Sequence, residues 1–86
     1  MMDAQRALTR ALALRWPALT VREARSEPWA SVTFTGERHV LTVAPGVDLT
    51  GLEDAEFDLR GHIVADIAVE VNAAGTTIHA LTLHLG

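Results

Sequence analysis

The spacing of apolar positions along this chain changes once. From about Asp3 to Arg15, Ala4, Ala7, Leu8, Ala11 and Leu12 recur at helical intervals, with Arg6 and Arg10 on another face. Asp3 can accept from the free amides of a first turn, which makes it an N-cap. Trp16-Pro17 ends the helix, because the residue before a proline is driven out of the helical region. Beyond Pro17 the period drops to two. Leu19–Ser26 reads as a strand, and so does Trp29–Thr35, where Ala30, Val32 and Phe34 alternate with Ser31, Thr33 and Thr35. Gly36-Glu37 fits a two-residue hairpin turn, and Arg38–Ala44 returns as a third strand until Pro45-Gly46 stops it.

Residues 46–60 form the one long connection, acidic through Asp48, Glu53, Asp54, Glu56 and Asp58. Leu52 and Phe57 are placed to tack a short helical turn within it to the core. The stretch that follows, GHIVADIAVEV (Gly61–Val71), supports two periods. Leu59, Ile63, Ile67 and Val71 recur every four residues, yet its many β-branched residues favour a sheet. The final run decides for a strand, since Leu81, Leu83 and Leu85 alternate with Ala80, Thr82 and His84. To bring those leucines onto the face of Ile63, Ile67 and Val69, a hairpin needs an odd-length loop. Ala73-Ala74-Gly75 supplies one, with Gly75 left-handed, Asn72 opposite Thr76 and Val64 opposite His84.

The expected architecture is α+β in a single domain over residues 1–86. An N-terminal helix packs on an antiparallel sheet of about five strands, in the order helix, three-strand meander, acidic crossover, C-terminal hairpin. Composition sharpens this picture. Apolar residues make up 49% of the 86 and charged ones 21%, and one helix cannot cover five strands. A homodimer is therefore expected, with a sheet face or edge buried between subunits. There is no cysteine, so disulfides, thiolate nucleophiles and cysteine-ligated metal sites are excluded. No run is long and apolar enough to span a membrane, and arginines interrupt the N-terminal segment where a signal peptide would be apolar. These features point to a cytoplasmic setting. Residues 1–43 carry six arginines against four acids, a net of +2, and residues 44–86 carry Arg60 against seven acids, a net of −6. No concentrated basic face suited to nucleic acid follows from that distribution.

One polar cluster follows from the expected register. His62 and Asp66 become diagonal neighbours of His84, with Glu70 further along the same face. Two imidazoles and a carboxylate suit a transition metal, or a general acid/base pair oriented by the carboxylate. The solvated face of a sheet carries the same residue types and is the simpler reading. His79 falls on the apolar face as a satisfied or edge histidine. The acidic connection lacks the spacing with which one loop wraps calcium, and neither a phosphate-cradling glycine loop nor a dinucleotide fingerprint is present, so no cofactor is expected. Trp29 shares the parity of Ser31 and Thr33, which puts it on the outer face as an anchor for a partner; packing in the core beneath the helix is the simpler alternative.

Two functional classes remain. The first is a non-catalytic cytoplasmic module that self-associates and engages a protein partner or assembles into a complex. The alternative is a small metal-dependent or acid/base enzyme using His62, Asp66 and His84.

Overall fold

The computed structural model describes residues 3–85. The fold is α+β: helix α1 (Ala4–Arg15), strands β1 (Val21–Ala30) and β2 (Thr35–Val43), a connection holding a 3₁₀ turn at Leu52–Asp54, then β3 (His62–Asn72) and β4 (Gly75–His84). The strands form one antiparallel sheet in the order β1-β2-β4-β3. No helix among the described residues is long and apolar enough to cross a membrane.

Asp3 caps α1 as its side chain allows, accepting from the Arg6 amide at 2.8 Å. Leu8 and Leu12 are fully buried against Leu41, Val43, Ile67, Ile78 and Ala80 of the sheet and Leu52 and Leu59 of the connection. Burying a leucine in this way contributes about 1.5–3 kcal/mol relative to leaving it exposed, which outweighs any intrinsic helix preference in so short a segment. The acidic connection crosses the same face. Its carboxylates act singly: Asp48 accepts from the Thr50 amide at 2.9 Å, and Glu53 accepts from the Val69 amide at 2.8 Å. The two hydrogen bonds from Thr50 hold the Asp48 carboxyl below the usual carboxylate range.

Among the described residues the sheet has four strands, not about five. The segments expected at Leu19–Ser26 and Trp29–Thr35 merge into one strand that continues through Pro28. An edge strand tolerates a proline, because an N–H turned away from its one neighbour is not needed. The hairpin therefore turns at Ser31–Phe34, not at Gly36-Glu37. Ser31 donates its amide to the Phe34 carbonyl at 2.8 Å, and its hydroxyl oxygen accepts from the Phe34 amide at 3.1 Å. Local hydrogen bonding of this kind outcompetes the strand alternation of Val32 and Phe34.

A second correction concerns the last hairpin. Its loop has two residues, with Asn72 opposite Gly75 and Val71 opposite Thr76. Asn72 Oδ1 accepts from the Ala74 amide at 2.9 Å. Among the described residues no non-glycine residue has a positive φ, whereas Gly75 has φ 141°, so the glycine takes the backbone conformation that a primed turn would have spread over the loop. An even loop reverses the expected parity. Ile78, Ala80 and Thr82 face the helix, and Leu81, Leu83 and their row face away from it. A bulge between Val64 and Asp66 then shifts β3 by one residue, so that Ile67 and Val64 both join the helix-side face.

Gly36 lies too close to β4 to carry a side chain. A Cβ built there lies 1.9 Å from the Thr82 carbonyl oxygen, a backbone atom that cannot step aside without disturbing the β2–β4 ladder. Gly36→Ala is expected to lower stability by about 1–3 kcal/mol, measured as a fall in the urea midpoint at unchanged m-value.

Candidate functional site

Polar side chains gather at the end of the sheet where α1 begins. Gln5 on α1, Ser26 on β1, His39 on β2 and Thr82 on β4 form one chain of hydrogen bonds. The Ser26 hydroxyl donates to Gln5 Oε1 at 2.7 Å. Its oxygen lies 2.6 Å from His39 Nδ1, and His39 Nε2 lies 2.8 Å from the Thr82 hydroxyl. With the Ser26 proton committed to Gln5, His39 Nδ1–H donates to Ser26 and the Thr82 hydroxyl donates to Nε2. A neutral imidazole completes this chain. His39 and Thr82 are buried, and burial pushes the His39 pKa below its ordinary value. Glu37 and Asp3 partly oppose the shift and His62 adds to it. The chain ties one helix to three strands, and its two hydroxyls are engaged by Gln5 and His39 rather than presented to a substrate. Nothing in the local sequence around His39 announced it, because its partners lie 13 and 43 positions away.

His62 and His84 face each other as direct cross-strand partners, with ring centroids 4.8 Å apart at 53°. His62 is 8% exposed, and its Nδ1 has no hydrogen-bond partner among the described residues. Asp66 does not join them. The bulge before it turns Asp66 to the opposite face, beside Leu81. Among the described residues no three His, Asp or Glu side chains converge to hold a metal. His79 lies on the outward face too, not the apolar one, and pairs with Glu70 at 3.1 Å. The expected cluster is thus divided between the two sides of the sheet.

That outward face is the other candidate. Neither α1 nor the connection covers it, and it carries Val40, Leu81 and Leu83 half-buried with Ile63 45% exposed. Trp29 also stands there, half-buried, opposite Gly36, with the Arg38 guanidinium carbon 5.8 Å from its ring centroid. Trp16, by contrast, packs beneath the end of α1 with Phe57, centroids 6.3 Å apart. The sheet's two edges are less available than its face. Pro28 and a bulge near Arg22 interrupt β1, while β3 has its own bulge and the Glu53 cap on Val69; such devices block edge-to-edge pairing. The alternation of Leu81 and Leu83 was the sequence signal for this surface, assigned there to the core face. A separate open groove of about 540 Å³ between α1 and Asp58–Arg60 mixes Arg10 and Arg60 with Asp58, and so offers no field of a single strong sign.

No family model, curated protein or solved structure matches this chain.

The His39 shift has a consequence for stability. Its folded pKa lies below the ordinary 6.5, so the unfolded chain binds the proton more readily. The contribution is fully present above about pH 6.5 and is lost as the pH falls from there through the folded pKa. Thermal midpoints measured between neutral and mildly acidic pH should fall for the wild type. His39→Gln should show a shallower slope over the same window, from a baseline about 1–3 kcal/mol lower because the chain is broken.

Proposed function

We propose that this chain is a small, non-catalytic, self-associating interaction module of the cytoplasm, and that its working surface is the outward face of the sheet. One observation carries the reading. An apolar band of Val40, Leu81, Leu83 and Ile63 crosses a sheet face that no element among the described residues covers, while both edges are interrupted. Burying such a band removes apolar surface from water without requiring new backbone pairing. Trp29 and Arg38 at its margin belong to the residue types that anchor interfaces.

The test is the concentration dependence of mass by sedimentation or light scattering. The wild type should dimerise in the micromolar range. Leu81→Glu, at a position the fold does not need buried, should weaken the dimer at least about tenfold, equivalent to about 1.4 kcal/mol, with an unchanged circular dichroism spectrum. A wild type that stays monomeric at the highest attainable concentration overturns the proposal.

A second reading, the metal-dependent or acid/base enzyme, keeps one observation in its favour: the buried His62 Nδ1 without a partner, facing His84. A zinc ion about 2.0–2.1 Å from one nitrogen of each ring would hold the centroids roughly 5 Å apart, close to the spacing found. Asp66 takes no part in such a site. Equilibrium zinc titration should show binding by the wild type that His84→Ala abolishes; negligible binding in both removes this reading.

A further inference from the structure

We infer that two copies of this chain pack face to face about a two-fold axis running along β4, with Arg38 of each copy opposite Asp66 of the other. The inference rests on the self-association proposed above and specifies its geometry. Four rows cross the outward face. They read Glu23-Thr42-Thr77-Glu70, Arg25-Val40-His79-Ala68, Glu27-Arg38-Leu81-Asp66 and Trp29-Gly36-Leu83-Ile63, each in the order β1, β2, β4, β3. Sheets packed face to face keep their strands roughly aligned, so a symmetric pair has few alignments available.

The charges separate those alignments. An axis parallel to the strands through the middle of the sheet, between β2 and β4, gives the greatest overlap. It sets Glu27 against Asp66 of the other copy and Glu23 against Glu70, which are like charges in both rows. An axis across the strands at the Leu81 row sets Arg38 against Arg38 and Asp66 against Asp66. An axis along β4 exchanges β2 with β3. Arg38 then faces Asp66 twice over, and Leu81 and Leu83 each meet their own copy on the axis.

Shape agrees with charge in this third alignment. Val40 lies opposite Ala68, a large side chain against a small one. Ile63 lies opposite Gly36, which has no side chain, and comes beside the overhanging Trp29. His79 meets its own copy. Arg38 and Asp66 are both exposed, and neither forms a salt bridge among the described residues, so both charges are available to a partner. The overlap is three strands wide, roughly 400 Å² in projection for each copy at strand spacings of about 4.8 Å. At about 800 Å² in total for the pair, that is below the usual range for stable specific interfaces, so the dimer is a weak, concentration-dependent one rather than an obligate one.

A charge exchange tests the alignment. Arg38→Asp and Asp66→Arg should each fold, by circular dichroism, and each weaken self-association at least about tenfold. An equimolar mixture of the two variants should recover a heterodimer. In it the carboxylate introduced at position 38 of one chain faces the guanidinium introduced at position 66 of the other, and the two unsubstituted residues, Asp66 and Arg38, also face each other. Placing both substitutions on one chain should likewise restore the homodimer. A wild-type dimer that neither single reversal weakens, or weakened variants that do not associate when mixed, overturns the alignment while self-association stands. A monomeric wild type overturns both.

Discussion

A strand offers its side chains to two faces in strict alternation, so a single residue gained or lost at a turn reassigns the whole strand. This parity constraint governs the molecule. The hydrogen bond from the Ala74 amide to Asn72 Oδ1 closes β3 and β4 around two residues, and Ile78, Ala80 and Thr82 consequently meet α1. Continued unbroken, the same phase would leave Val64 and His62 on the outward face. The extra residue at Ala65 reverses it within β3, and that reversal separates His62 from Asp66. Core, polar chain and outward band all inherit their membership from these two local events.

The core they define is small, and its polar part is correspondingly consequential. Among the described residues nine buried apolar side chains form it, with His39 placed close to Leu41 along β2. An unpaired imidazole at that depth would be costly. Four side chains from four elements remove that cost by satisfying one another, and in doing so specify how α1 lies on the sheet. An apolar residue at position 39 could fill the volume, but it would take from Thr82 its hydrogen-bond partner and leave Ser26 joined to Gln5 alone, so the chain from α1 would no longer reach β4. The chain thus gives the packing of α1 its register, and the leucines give it most of its favourable energy.

Coverage explains the outward face. Among the described residues one helix and one crossover lie over the sheet, both on the same side. The other side retains leucine, valine and isoleucine among charges of both signs. Edge strands are interrupted by proline, bulges and a carboxylate cap, which steers contact away from open-ended sheet extension and toward a closed pairing of faces. The proposed function grows from this imbalance between covered and uncovered apolar surface.

The helix from Asp3 to Arg15, its stop at Trp16-Pro17, the acidic crossover with Leu52 buried and the strand character of Gly61–Val71 were all legible in the sequence. Each depends on residues within a turn or two of one another: a carboxylate near free amides, a proline ring, β-branched side chains. Legible too was that one helix leaves part of the sheet uncovered, whereas Trp29, for which core packing was the simpler reading, stands on the outward face. The strand number was not legible, because Ser31 closes a turn with its own side chain where alternation continued on paper. The site was half legible. His62 and His84 do meet, two residues out of the expected register, but Asp66 does not join them, and the chain from Gln5 to Thr82 could not be seen at all. Local chemistry sets which residues form a helix or a strand; which face those strands bury is decided by packing against distant elements, since only there does a shift of one residue exchange core for surface.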